Sequence, residues 1–190
     1  SDPIGYDDAA TGGSFIKLGV GVLRKPKEAK YSWSTRYEIV DPGKWTVRRQ
    51  PDSIEFQQEV SGPSGYAYVY RKTIRLSQGK PEMVLEHSLR NTGRRLIETP
   101  VYDHNFLVMD DQPSGPDFVI KVPFEIQPAR DNLGVLQVRG KEVAFSRELV
   151  KDERAMINLA GFSRDTKDYD IRVENRRTRA GVRITGDRPL

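Results

Sequence analysis

Apolar residues in this chain recur at every second position over short blocks, and Gly, Pro, Asp and Asn punctuate the blocks. A period of two is the signature of a pleated strand with one buried face. Lys44–Arg49 puts Trp45 and Val47 on one side. Ser53–Val60 puts Ile54, Phe56 and Gln58 on one side and Glu55, Gln57 and Glu59 on the other. Tyr66–Leu76 aligns Tyr66, Tyr68, Tyr70, Lys72, Ile74 and Leu76. Glu82–Asn91 aligns Met83, Leu85, His87 and Leu89, and Leu96–Met109 aligns Tyr102, His104, Phe106 and Val108. The turn Thr92-Gly93 joins the last two, so a hairpin carrying both histidines on one sheet face is expected.

Phe15–Leu23, FIKLGVGVL, reads as one buried strand bent at Gly19 or Gly21. Lys27–Gly43 is a long aromatic connection closed by the turn Asp41-Pro42-Gly43. Asp117–Ile126 is a strand that Pro123 interrupts, which predicts an edge position or a bulge. Val135–Val138 and Val143–Phe145 are short strands, and Lys151–Leu159 fits either a strand or one helical turn. Tyr169–Glu174 and Gly181–Thr185 pair around a basic loop. At least ten strands with hairpin connections and almost no helical period predict an all-β fold, a large antiparallel β-sandwich.

The totals narrow this further. The 190 residues are 36% hydrophobic and 31% charged, which suits a globular chain. No composition shift marks a split, so residues 1–190 are expected to form a single domain. The net charge of +4 is spread among nearly as many acids as bases, so no nucleic-acid partner is expected. Arg176, Arg177 and Arg179 cluster, which suits a solvated loop better than a phosphate site. No apolar run approaches a membrane span of about 20 residues, and no membrane partner is expected. The absence of cysteine removes disulfides and thiolate chemistry. The chain starts at Ser1, not Met, so a processed form that has lost an export signal stays open, and the compartment with it. The oligomeric state is open as well.

Chemistry centres on the two histidines, His87 and His104. Each sits mid-strand among apolar residues of its own face. That placement suits either a core histidine held by hydrogen bonds or an acid or base lining a pocket, since imidazole titrates near neutrality. No spacing of acids and histidines marks a metal site, and no cofactor motif is present. The acids Asp165, Asp168 and Asp170 read as turn and surface residues. Tyr66, Tyr68 and Tyr70 suit either sheet packing or stacking on a ligand. The candidate substrate-binding residues are His87, Tyr70, Lys72 and Arg24.

The order of these segments resembles the galactose mutarotase (aldose 1-epimerase) superfamily. His104-Asn105-Phe106-Leu107 is similar to the family's histidine motif. The Trp-Thr-Val strand at Lys44, the strand at Ser53 and the long strand after Gly65-Tyr66 follow its order. Lys167-Asp168-Tyr169-Asp170 and Gly181–Leu190 resemble its later segments. The resemblance implies the mutarotase-like supersandwich and acid–base catalysis at a sugar ring. A histidine protonates the ring oxygen while a glutamate takes the proton of the anomeric hydroxyl. His104 would be that acid. The family's second histidine has no counterpart near Tyr37-Glu38-Ile39-Val40. Its base glutamate lies in a later strand, which implies either a chain continuing past Leu190 or one without the base. The expected function is therefore a carbohydrate-binding mutarotase-like protein that interconverts sugar anomers. The alternatives are a non-catalytic carbohydrate-binding module and an accessory domain that binds no sugar.

Overall fold

The computed structural model describes residues 3–27, 30–100, 105–128 and 133–188. The protein is all-β: its strands form several antiparallel sheets, and the described residues contain no α-helix. The chain divides into two compact units, Ser1–Tyr102 and Asp103–Leu190.

The first unit contains β1 (Ser14–Lys17), β2 (Gly21–Arg24) and β3 (Ile39–Asp41) in one antiparallel sheet. A second, four-stranded meander is formed by β4 (Lys44–Arg49), β5 (Ser53–Ser61), β6 (Ala67–Leu76) and β7 (Met83–Asn91). Phe15–Leu23 is not one strand. The chain reverses at Leu18–Val20 and pairs Phe15 with Leu23 and Ile16 with Val22. Gly19 takes φ +75°, and Val20 N–H donates to the Lys17 carbonyl at 3.0 Å, which closes the turn. The run is apolar without a polar face because the hairpin is buried on both sides. Ile16 and Val22 pack with Ile4, Val60 and Tyr68 against the four-stranded sheet. Phe15 and Leu23 pack with Tyr6, flanked by Tyr31 and Tyr37.

In the same layer Lys25 is buried without a carboxylate partner among the described residues. Its ammonium donates to the carbonyls of Tyr6 and Ala9, each at 2.8 Å, and lies 4.6 Å from the centre of the Tyr6 ring. Carbonyl oxygens and an aromatic face thus replace the water this cation has lost.

The second unit is built on β8 (Phe118–Lys121), β10 (Leu136–Arg139), β11 (Glu142–Phe145), β13 (Asp170–Asn175) and β14 (Ala180–Thr185). They form a sheet in the order β10-β11-β8-β13-β14. A small pair joins β9 (Gln127–Pro128) to β12 (Leu159–Ala160). β8 is therefore the central strand, not an edge, and it ends at Lys121 before Pro123 can interrupt its ladder. Lys151–Leu159 supplies only a turn before β12 begins at Leu159. The basic loop is the tip of the β13–β14 hairpin. Arg176 pairs with Glu142 at 2.9 Å and Arg177 with Asp117 at 3.2 Å, so acids neutralise both.

The expected strand Leu96–Met109 is not formed among its described residues, 96–100 and 105–109. After β7 the chain turns at Thr92-Gly93, where Gly93 N–H donates to the Asn91 side chain at 2.9 Å. It then crosses the end of the sheet: Arg94 N–H donates to the Gly65 carbonyl at 2.9 Å, and Arg95 pairs with Asp8 at 2.8 Å and covers the Tyr66 ring. These contacts carry the chain away from β7, and Pro100 has no N–H to give to a ladder. Tyr102 and His104 lie outside the described residues.

Candidate functional site

The register of the four-stranded sheet places its side chains on a grid. Residues opposite each other in an antiparallel pair share a face. One row across β4–β7 is Trp45, Gln58, Tyr70, Leu89; the next is Val47, Phe56, Lys72, His87; the next is Arg49, Ile54, Ile74, Leu85. Val60, Tyr68 and Asn91 form a row at one end, and Leu76 and Met83 lie at the other.

The β1–β2 hairpin covers only one end of this face. Val60, Tyr68 and Gln58 are buried there, at 3%, 0% and 0% exposure. At the other end Val47, Leu76, Met83 and Leu85 are exposed. Tyr70 marks the boundary. It packs at the margin of the buried cluster and lies under Gly19, where an added Cβ would sit 3.7 Å from the ring. The hairpin turn is thus a wall, and the uncovered sheet is a floor.

Three of the sequence-predicted site residues meet at this boundary. Tyr70 Oη and His87 Nδ1 are 2.7 Å apart, and the two rings stack at 24° with centroids 6.0 Å apart. Lys72 stands directly opposite His87. Arg24 is placed elsewhere: its guanidinium binds the Glu38 carboxylate at 2.6 Å and the Gly12 carbonyl at 3.3 Å, within the three-stranded layer. His104 lies outside the described residues. Trp45, Phe56 and Gln58 share the floor, and sequence reasoning did not name them as site residues. Their alternation was visible, but only the inter-strand register shows that they line up with Tyr70 and Lys72.

The two faces of the sheet differ in charge. On the opposite face Arg48 pairs with Glu55 at 3.7 Å, Arg75 with Glu86 at 2.8 Å, and Arg71 donates to Gln57 at 2.6 Å. The floor carries no carboxylate in any of its rows; its charged residues are Arg49 and Lys72.

Under the hairpin, Tyr68 Oη donates to Gln58 Oε1 at 2.7 Å, and Gln58 Nε2 donates to the Pro42 carbonyl at 2.8 Å. Burial pushes the Tyr68 hydroxyl from 10.0 up to about 12, partly offset by a hydrogen bond from the Gly19 backbone. The folded state therefore holds this proton more tightly than the unfolded chain. The resulting stability is complete below pH 10 and is lost as the pH rises toward 12, by on the order of 2–3 kcal/mol. Tyr68→Phe is expected to flatten that part of the stability–pH curve, as urea unfolding from pH 9 to 12 would show. An unchanged slope would place the titration elsewhere.

A groove of about 660 Å³ lies in the second unit beside Leu133, Val135, Arg147 and Glu153. Arg147 grips Glu153 with two hydrogen bonds of 2.7 and 2.8 Å, and the Val150 N–H adds a third at 2.9 Å. These hold its carboxyl down at about 2, so it is an anchored ion and a poor proton acceptor near neutrality. Among the described residues, no group of three or more acidic or histidine side chains is arranged to hold a metal ion. Among the described residues no helix is long and apolar enough to cross a membrane.

No protein-family model matches the chain, and neither a curated protein nor a solved structure does.

Proposed function

We propose that the protein binds a carbohydrate on the uncovered face of the β4–β7 sheet. Tyr70 is the stacking platform, and His87 and Lys72 are its polar contacts. The observation that carries this reading is the Tyr70–His87 pair, hydrogen-bonded at 2.7 Å beside the apolar Val47, Phe56 and Leu89 of the same face. Sugar rings present C–H faces to aromatic rings and hydroxyls to polar edges, and this floor offers both kinds of partner side by side. The mutarotase-like pattern of the sequence supports the same substrate class. Binding of simple sugars followed by calorimetry is the direct test. Tyr70→Ala is expected to weaken binding about tenfold, the loss of one aromatic contact. Unchanged affinity would remove Tyr70 from the site.

Two readings of the activity follow. In the catalytic one, His104 is the acid that protonates the ring oxygen during anomer interconversion. In the other, the protein is a non-catalytic binding module. The second is favoured by the floor itself, whose rows carry no carboxylate to act as base and whose Val47, Leu76, Met83 and Leu85 are exposed. Anomer exchange followed by NMR separates them. Faster exchange that His104→Ala abolishes supports catalysis, and binding with no acceleration supports the module.

A further inference from the structure

Lys72 is half-buried, with Phe56 and His87 as its cross-strand neighbours and Tyr70 and Ile74 beside it on its own strand. It has no carboxylate and no hydrogen-bond partner among the described residues. The other buried and part-buried lysines are satisfied. Lys121 meets Glu174 at 2.7 Å, Lys17 meets the Tyr31 hydroxyl at 3.1 Å, and Lys25 has its two carbonyls. A cation set into an apolar face loses hydration, and a partner anion is the ordinary remedy.

We propose that the sugar bound on this face is a sugar acid, a uronate whose carboxylate meets Lys72. This rests on the carbohydrate reading above and adds the ligand class. His87 stands opposite Lys72, which puts the two Cβ atoms about 5 Å apart. With Nδ1 engaged by Tyr70, Nε2 is the ring nitrogen left for a ligand, and Lys72 stands opposite His87 in the ladder. Tyr70, two positions along the strand, receives the apolar face of the ring. No acid stands in any row of the floor, so among the described residues of this face none repels a bound carboxylate.

The test compares sugars that differ only at C6. Calorimetry measures D-galacturonate against D-galactose and D-glucuronate against D-glucose. Acetate is the non-sugar control, and tri-galacturonate represents a polymer. The uronate is expected to bind at least tenfold more tightly than its neutral partner, with the difference shrinking as salt is raised. Lys72→Gln should erase the difference and Lys72→Arg should keep most of it. Amide NMR of each variant reports folding, and shifts confined to β6 and β7 locate the ligand. Equal affinity for acid and neutral sugar would overturn the uronate inference and leave the carbohydrate reading standing. Binding of neither would overturn both. Acetate binding as tightly as uronate would overturn the sugar acid in favour of a plain anion site. Tight binding of the trimer beside weak binding of the monomer supports the proposal with a polysaccharide as the source, and equal binding supports a free sugar acid.

Discussion

Phe15→Ala is expected to destabilise the first unit by about 3–5 kcal/mol, the usual cost of deleting a buried aromatic side chain. Phe15 is fully buried, and three tyrosine rings surround it. Tyr6 meets it edge-on at 4.9 Å and Tyr37 at 5.2 Å, with Tyr31 at 6.3 Å. Tyr31 and Tyr37 also stack on each other at 5.4 Å, so the rings brace one another around the vacancy that alanine would leave. Such a site collapses poorly, which puts the cost toward the upper end of the range. Phe15 sits on β1 back to back with Ile16, which packs on the sheet, so the loss should reach the wall above Tyr70. Hydrogen exchange is expected to show faster exchange at the amides of Ser14–Arg24 and lowered global stability. Trp33→Ala is the control: Trp33 is 86% exposed, and its removal should cost less than about 0.5 kcal/mol. Equal effects from the two substitutions would mean that the aromatic cluster does not hold the hairpin.

The four-stranded sheet was legible because long alternating runs carry their own evidence. Trp45, Phe56, Lys72 and His87 each stand on the face that the period of two assigns. The Phe15–Leu23 hairpin was not legible as a hairpin. Its two strands are buried on both sides, so the run has no polar face to reveal the reversal, and Gly19 looked like a bend within one strand. β3 was lost inside a long connection because it is three residues long and wholly exposed. Pro123 predicts an edge position or a bulge, whereas it only limits the length of a central strand. Leu96–Met109 has alternation but lacks a partner ladder among its described residues. There Phe106 and Val108 are more than four-fifths exposed, so the pattern answers to no buried face.

The candidate site was half legible. Tyr70, Lys72 and His87 fall on one face from periodicity alone, while their convergence with Phe56 and Gln58 needs the register. The pairing of Arg24 with Glu38 joins residues 14 apart in the chain across β2 and its neighbour, and no local pattern announces it.

Gln58→Leu is expected to cost about 2–4 kcal/mol, and the reason is the hydroxyl it leaves behind. Gln58 and Tyr68 are both fully buried, and Gln58 Oε1 accepts the Tyr68 hydrogen bond at 2.7 Å. Leucine fills nearly the same space but gives that hydroxyl no acceptor. The Pro42 carbonyl also loses its donor, but Pro42 is exposed, so water replaces the bond at small cost. The penalty therefore sits on Tyr68. It should be recovered in large part by Gln58→Leu combined with Tyr68→Phe, since removing both partners of a buried hydrogen bond is far cheaper than removing one. Urea unfolding of the four-membered cycle measures this. A double variant no more stable than Gln58→Leu alone would sink the argument. The same cycle reaches the site, because Gln58 stands between Trp45 and Tyr70 in one row of the floor. If the network holds that row in register, the single variant should loosen the Tyr70–His87 pair and the double variant should restore it. The ring-proton shifts of His87 report both states.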